Sequence, residues 1–352
     1  MAKDKTSFTA LVVAQGLVAC AESRDWGYLV ADEARELTKY FTEFALKNHL
    51  DYIGWGAIKS SKLLPYSWQQ GLLDKLSTPG QSEHYAMRKL LIEQQVEKAI
   101  NDEGKRQVVI LGGGYDTLAL RLHKKHLKVN FFEVDKGLSQ LIKKRAIEEL
   151  EQNQHGNELL NKYEVLGNNI SFVESDLNIE NSLTEELLLN GFDIYKKTIF
   201  IAEGLTMYLE ENTLHNMLNE INKIISNSKS SLLISFREPR GTTLASQVLR
   251  GRSDETYNSA LMPETAPAEM YRMGYTIQKK VMFVDLQTQA KNLIAVNKHK
   301  NNPNYTKEHY YLMVSKKEND QIKDIKEIED MAVEVPNKQR LVYSQALSCQ
   351  IL

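Results

Sequence analysis

The stretch Gln107–Thr117 reads Q-V-V-I-L-G-G-G-Y-D-T. Val108–Leu111 is an unbroken apolar run of β-forming residues, the pattern of a strand buried on both faces of a parallel sheet. Three glycines follow, where the backbone turns sharply and lets a ligand approach closely. Further on, Val129–Val134 predicts a second strand, with Glu133 and Asp135 at its end. A strand, a glycine turn, a helix and an acidic strand end together make the nucleoside-binding half of a doubly wound α/β fold.

Working outward, strands are predicted at 107–112, 128–134, 170–175, 198–203, 231–236, 279–285 and 309–315, with helices between most of them. That alternation predicts an α/β class chain with a doubly wound, mostly parallel, seven-stranded Rossmann-like sheet covered on both faces. Upstream, Ser7–Ala21, Glu33–Leu46 and Tyr85–Ile100 carry apolar residues at helical spacing. Residues 1–104 are therefore expected to form a helical N-terminal cap closing on the cofactor, and 105–315 the binding core. Within the core, 237–278 exceeds an ordinary crossover and holds Pro239, Pro263 and Pro267, which suits a lid or acceptor wall. Residues 316–352 read as a charged linker, K-K-E-N-D-Q-I-K-D-I-K-E-I-E from Lys316, and a tail.

The bulk composition narrows the class. The chain has 352 residues and a formal net charge of −2, with no basic block that would make a nucleic-acid footprint. No apolar run approaches the roughly 20 residues needed to span a bilayer. The start, M-A-K-D-K-T-S-F, has no apolar signal-peptide core, so a soluble, cytoplasmic setting is expected. The two cysteines, Cys20 and Cys349, exclude a disulfide framework and a cysteine-rich metal site, and no metal is expected.

Four features fall in order at the ends of successive predicted strands: Gly112-Gly113-Gly114, Glu133 with Asp135, Asp176-Leu177, and Glu203-Gly204. Strand ends on one edge of a parallel sheet converge on one crevice. Carboxylates at the second strand suit a ribose diol, since each accepts two hydrogen bonds, and Asp176 suits an exocyclic adenine amine. A dinucleotide would ask for G-x-G-x-x-G, but Thr117 stands at the third glycine, and Asp116 puts negative charge where a pyrophosphate would lie. The acidic lining favours a cation, and S-adenosyl-L-methionine carries both a sulfonium and an amine.

R-Q-V-V-I-L-G-G-G-Y-D-T-L-A-L-R-L, F-F-E-V-D followed ten residues after its glutamate by Lys143, and A-E-G-L-T-M-Y-L together resemble the leucine carboxyl methyltransferase family, over roughly residues 7 to 315. The resemblance implies a class I S-adenosylmethionine-dependent O-methyltransferase. R-K-L-L-I-E at Arg88–Glu93 is similar to a family segment whose arginine contacts the cofactor carboxylate, which gives Arg88 that role. Arg121 either shares in this or packs the first core helix through a salt bridge. Two departures stand out: Gly113 replaces the usual alanine or cysteine, and S-F-R-E-P-R-G after the fifth strand does not match the phosphatase-directed member.

Methyl transfer from a sulfonium is an in-line displacement in which the protein aligns the reactants and places charge. A carboxylate acceptor is already ionised at neutral pH and needs no base, whereas a hydroxyl does. His84, His123 and His126 read as surface or capping residues, which favours a carboxylate, on a protein C-terminus or a small molecule. Arg237 and Arg240 suit its anchoring, or else pair with Glu238 or Asp254. Tyr208 lines the methyl-transfer site or belongs to the core. The final four residues, Cys349-Gln350-Ile351-Leu352, form a C-a-a-X pattern of the geranylgeranyl type. In a eukaryotic cell, prenylation of Cys349 would bring the chain to the cytoplasmic face of a membrane, with Lys338 and Arg340 as a thin basic supplement to one weak lipid anchor. A mass gain on Cys349 is the test. A contrasting reading is a membrane-targeted interaction protein that keeps the fold without turnover.

Overall fold

The computed structural model describes residues 8–23, 26–49, 81–152, 167–238, 261–282 and 308–315. Arg240, Cys349, the charged run and most of the expected lid lie outside them. Seven strands form one sheet: β1 (Gln107–Leu111), β2 (Asn130–Asp135), β3 (Ile170–Glu174), β4 (Thr198–Ala202), β5 (Ser231–Arg237), β6 (Tyr275–Met282) and β7 (Glu308–Ser315). Eight helices are described: α1 (Phe8–Ala21), α2 (Asp32–His49), α3 (Gln81–Asn101), α4 (Leu118–Leu122), α5 (Gly137–Gln152), α6 (Ser182–Leu189), α7 (Glu211–Ser228) and α8 (Ala266–Arg272).

The strand order is β3-β2-β1-β4-β5-β7-β6. The first five strands are mutually parallel, and β7 runs antiparallel to both of its neighbours. The winding reverses between β1 and β4, so the crevice at their carboxyl ends is the place where this topology holds ligands. The sequence-predicted strands all appear, shifted by a residue or two except the sixth. It begins at Tyr275, because Gly274, at φ +85°, turns the chain directly out of α8.

β1 is buried along its whole length because both of its faces are covered. Val109 and Leu111 face a core built with Leu183 and Leu187 of α6, Leu214, Leu218 and Ile221 of α7, and Met270 of α8. Val108 and Ile110 face Ile92, Val96 and Ala99 of α3 with Leu118 and Leu122 of α4. Helix α3 thus lies directly on the sheet, and α1 packs against both α2 and α3. This arrangement brings the first turns of α3 to the strand ends, where the charged residues gather.

Candidate active site

The glycine turn is fixed from below and above. Gly112 and Gly113 donate N–H to Val134 O at 2.8 and 3.2 Å, and Gly114 N donates to Asp135 Oδ2 at 2.5 Å. Gly112 and Gly114 have φ of +67° and +50°, a region that costs a side-chain-bearing residue, and Gly112 is exposed at the crest of the turn. A Cβ on Gly114 would stand 3.1 Å from Ala10 Cβ, so α1 roofs the turn. Asp135, half-buried, spends its second oxygen on Lys136 N at 2.7 Å.

From the sequence Glu133 and Asp135 group as ribose acceptors; the two-residue period of β2 puts both on one face, Glu133 buried within the strand and Asp135 half-buried at its end. Glu133 lies beneath the turn, 1% exposed, and its Oε1 accepts from Lys143 Nζ at 2.5 Å. Lys143 Nζ also donates to Asp116 O, and its charge sits 5.8 Å from the ring centres of both Phe41 and Phe172. Burial pushes the Glu133 carboxyl up to about 7 despite the opposing pull of Lys143, and its Oε2 has no hydrogen-bond partner among the described residues. This places Glu133 as a support of the turn rather than at the crevice surface, and leaves Asp135 as the carboxylate at that strand end.

The charge network across the crevice is denser than the sequence conveyed. Arg88 of α3 donates from Nε to Glu203 Oε1 at 2.6 Å and lies 5.3 Å above the Tyr85 ring. Its guanidinium rests over Gly204, where a Cβ would come within 3.3 Å of NH1 and NH2. The adjacent Lys89 bridges Asp116 Oδ2 and Glu203 Oε2, both at 2.8 Å. Burial would raise the Asp116 carboxyl, but Lys89 and then Lys143, with the hydrogen bond from Leu118 N, hold it far below the ordinary carboxylate range. In the sequence Asp116 puts negative charge where a pyrophosphate would lie. Lys89 neutralises it, so Asp116 alone does not select a cationic ligand.

His84 was expected at the surface or as a cap; it has no exposed surface, and its Nε2 meets Glu308 Oε2 at 2.6 Å. Burial lowers its pKa to about 4, against the opposing effect of Glu308. His123 is buried too, at 3.3 Å from Asn169 Oδ1, while His126 faces Glu97 at 3.0 Å. The helical spacing of His84, Arg88, Ile92 and Val96 was the available signal, since it puts all four on one face of α3. Arg121 pairs with Glu93 at 2.7 Å, the packing salt bridge of its two readings.

At the other strand ends, Asp176 remains about one-third exposed, accepting from Asn178 N and Nδ2 at 3.1 and 2.7 Å, while Leu177 packs against the core of α6 and α7. Tyr208 ends a 3-10 turn, Thr206–Tyr208, and is half-buried. Arg237, the last residue of β5 and 6% exposed, stands opposite Glu308 in the β5–β7 register. Among the described residues no three His, Cys, Asp or Glu side chains group to hold a metal, and no helix is long and apolar enough to cross a membrane.

Comparison with known proteins agrees with the local motifs. Leucine carboxyl methyltransferase 1 of Candida albicans is 25% identical over 231 residues, which cover 60% of this chain and 62% of that protein; the chain thus spans under two-thirds of the curated relative's length. Among solved structures, a DUF574 family protein from Streptomyces avermitilis has 12% identity and a TM-score of 0.45, covering 82% of this chain and 98% of that one. Magnesium protoporphyrin IX methyltransferase from Synechocystis PCC 6803, solved with bound S-adenosylhomocysteine, has 13% identity and a TM-score of 0.37, covering 66% of this chain and 86% of that one. The family profile for leucine carboxyl methyltransferase matches residues 38–222, more than half of the chain. The chain belongs to the leucine carboxyl methyltransferase family.

Proposed function

We propose that the chain is an S-adenosyl-L-methionine-dependent O-methyltransferase acting on a carboxylate. The observation that carries this reading is the convergence, on one crevice of a family member, of the glycine turn bonded to Asp135 with the Arg88–Glu203 pair. The residues fit the cofactor: the turn exposes backbone at Gly112, Asp135 and Asp176 offer partly exposed carboxylates to hydroxyl and amine donors, and Arg88 offers a permanent cation to a carboxylate. S-adenosylmethionine, when bound, supplies the methyl group on a sulfonium.

The protein's own part is to position and to shield charge. Gly112, Gly114, Asp135, Asp176 and Leu177 would hold the nucleoside, and Arg88 with Glu203 the amino-acid end. Lys89 keeps Asp116 ionised and holds both Asp116 and Glu203 in place. Arg237, at the far side of β4, would anchor the acceptor carboxylate, with Tyr208 beside the transfer path. His84 is enclosed with its Nε2 committed to Glu308, so it does not serve as a base. An acceptor already ionised at neutral pH needs none.

Calorimetry with S-adenosylhomocysteine tests the cofactor, and transfer of labelled methyl to carboxylate-ended peptides and small acids tests the acceptor. Asp135→Ala is expected to weaken S-adenosylhomocysteine at least tenfold, about 1.4 kcal/mol. Gly114→Val, strained at φ +50° and pressed on Ala10, is expected to abolish binding. Wild-type affinity in both variants overturns the assignment of the site.

A further inference from the structure

Glu308, at the start of β7, lies outside every motif on which the cofactor argument rests. It has no exposed surface, and its Oε2 accepts from His84 Nε2 at 2.6 Å and faces Arg88 NH1 at 3.6 Å. In the antiparallel register it stands directly across from Arg237. Burial would raise its carboxyl, yet Arg88, then His84 and Arg237, hold it far below the ordinary carboxylate range. The same carboxylate therefore feels the arginine assigned to the cofactor and the arginine assigned to the acceptor. Its Oε1 is buried without a hydrogen-bond partner among the described residues, as is the hydroxyl of Tyr310 two residues along the same strand face. Among the described residues the carboxylate is thus held on one oxygen by His84 and Arg88, with nothing clamping the other, and Arg237 stands across from it in register.

We infer that Glu308 is a positioning residue, a counter-ion shared by Arg88 and Arg237, through which occupation of the acceptor side is felt by the cofactor arginine. The inference rests on the cofactor reading above. A carboxylate divided between two cations redistributes toward one when the other is removed or neutralised. Arg88 is already committed to Glu203 through Nε, so a stronger pull from Glu308 on NH1 takes donors away from a ligand carboxylate. A direct field of Arg237 on that ligand would act whether or not Glu308 is charged. An effect relayed by Glu308 would not, and this difference makes the inference testable as a departure from additivity.

The experiment is a double-mutant cycle on the full chain, with S-adenosylhomocysteine affinity read by calorimetry. Arg237→Met is expected to raise Kd at least fivefold in the wild-type background and no more than about twofold beside Glu308→Gln. Glu308→Asp, which keeps the charge on a shorter arm, is expected to bind better than the isosteric Glu308→Gln; a role in packing alone predicts the reverse order. Equal fold-changes in the two backgrounds, or no change in either, overturn the inference. A wild-type chain that binds no S-adenosylhomocysteine rejects the cofactor reading instead. In that event Arg88→Met and Arg237→Met are combined in urea unfolding, with and without Glu308→Gln. Non-additivity that disappears with Gln at 308 supports the shared counter-ion, and additivity in both backgrounds overturns it.

Discussion

Replacing Gly113 by alanine would restore a residue common in the family, and the structure says it will harm this chain. Gly113 is not among the residues with positive φ, so the cost is not backbone strain. It is steric: a Cβ there would lie 2.4 Å from Glu133 Cγ, 2.7 Å from Cδ and 2.9 Å from Oε1. Carbon atoms pack comfortably at about 3.5–4.0 Å, so one partner must retreat by roughly 1 Å. If Glu133 moves, it leaves Lys143 with Asp116 O alone in a site without solvent. If the turn lifts, it loses the bonds from Gly112 and Gly113 to Val134 O and from Gly114 to Asp135. Overpacking a filled core costs about 1–3 kcal/mol, and disturbing a buried ion pair adds to that, so the expected loss is about 2–3 kcal/mol. Urea unfolding at constant pH measures it. In a Glu133→Ala, Lys143→Met background the atoms the new methyl would strike are gone, and the added cost of Gly113→Ala should fall below about 0.5 kcal/mol. Wild-type stability in the single variant, or an undiminished cost in the cleared background, refutes the contact as its cause.

Other outcomes follow from the same cluster. Because the folded-state pKa of Glu133 is raised from 4.5 to about 7, its contribution to stability is complete below pH 4.5 and is lost as pH rises through about 7. The unfolding free energy of wild type relative to Glu133→Gln, from urea titrations, should therefore fall between pH 5 and 8 by an amount on the order of 2–3 kcal/mol; parallel curves would contradict it. His84 has the opposite sign, its contribution being complete above pH 6.5 and lost as pH falls through about 4, so His84→Asn should flatten the acid side of the profile. Lys89→Met leaves Asp116 and Glu203 facing each other without their bridging cation, and a loss of about 1–3 kcal/mol is expected in urea, since the lysine is only partly solvated; a neutral result would mean the bridge is idle. Arg121→Leu should cost stability through Glu93 with S-adenosylhomocysteine affinity within twofold of wild type, which calorimetry checks.

The strand ends were readable because a buried parallel strand writes itself as an apolar run, and because glycine and carboxylate punctuation follows it within a few residues. Gly112, Asp135, Asp176 and Glu203 all fall where that logic puts them. Depth below the glycine turn was not readable at the same level. Glu133 and Asp135 look equivalent in F-F-E-V-D and share one face of the strand; only the glycine turn laid over them separates the two, since Gly113 sits on Glu133 while Gly114 N bonds Asp135. Glu308 was hidden for a different reason. It lies on an antiparallel strand remote in sequence, and its partners come from α3 and β5, so no local pattern links E-H-Y-Y to R-K-L-L or to S-F-R.

Lys89 and Glu308 share a consequence for how the site achieves its charge. Taken from the strand ends alone, the crevice was acidic, and acidity was the reason to favour a cationic ligand. With α3 laid across those ends, three of the acids have fixed bases: Asp116 and Glu203 have Lys89, Glu203 and Glu308 have Arg88, and Glu308 has Arg237 in register. Electrostatic selection for ligands then depends on geometry rather than on net charge, because preorganised pairs present directed donors and acceptors at little reorganisation cost. Helix α3 belongs to the N-terminal part of the chain and the acids to the sheet, so the site is completed only when that helix docks on β1. Substitutions at the α3–sheet contact, such as Val96→Ala, should for that reason weaken S-adenosylhomocysteine as well as stability, although no atom of Val96 approaches the crevice residues by any hydrogen bond or ion pair.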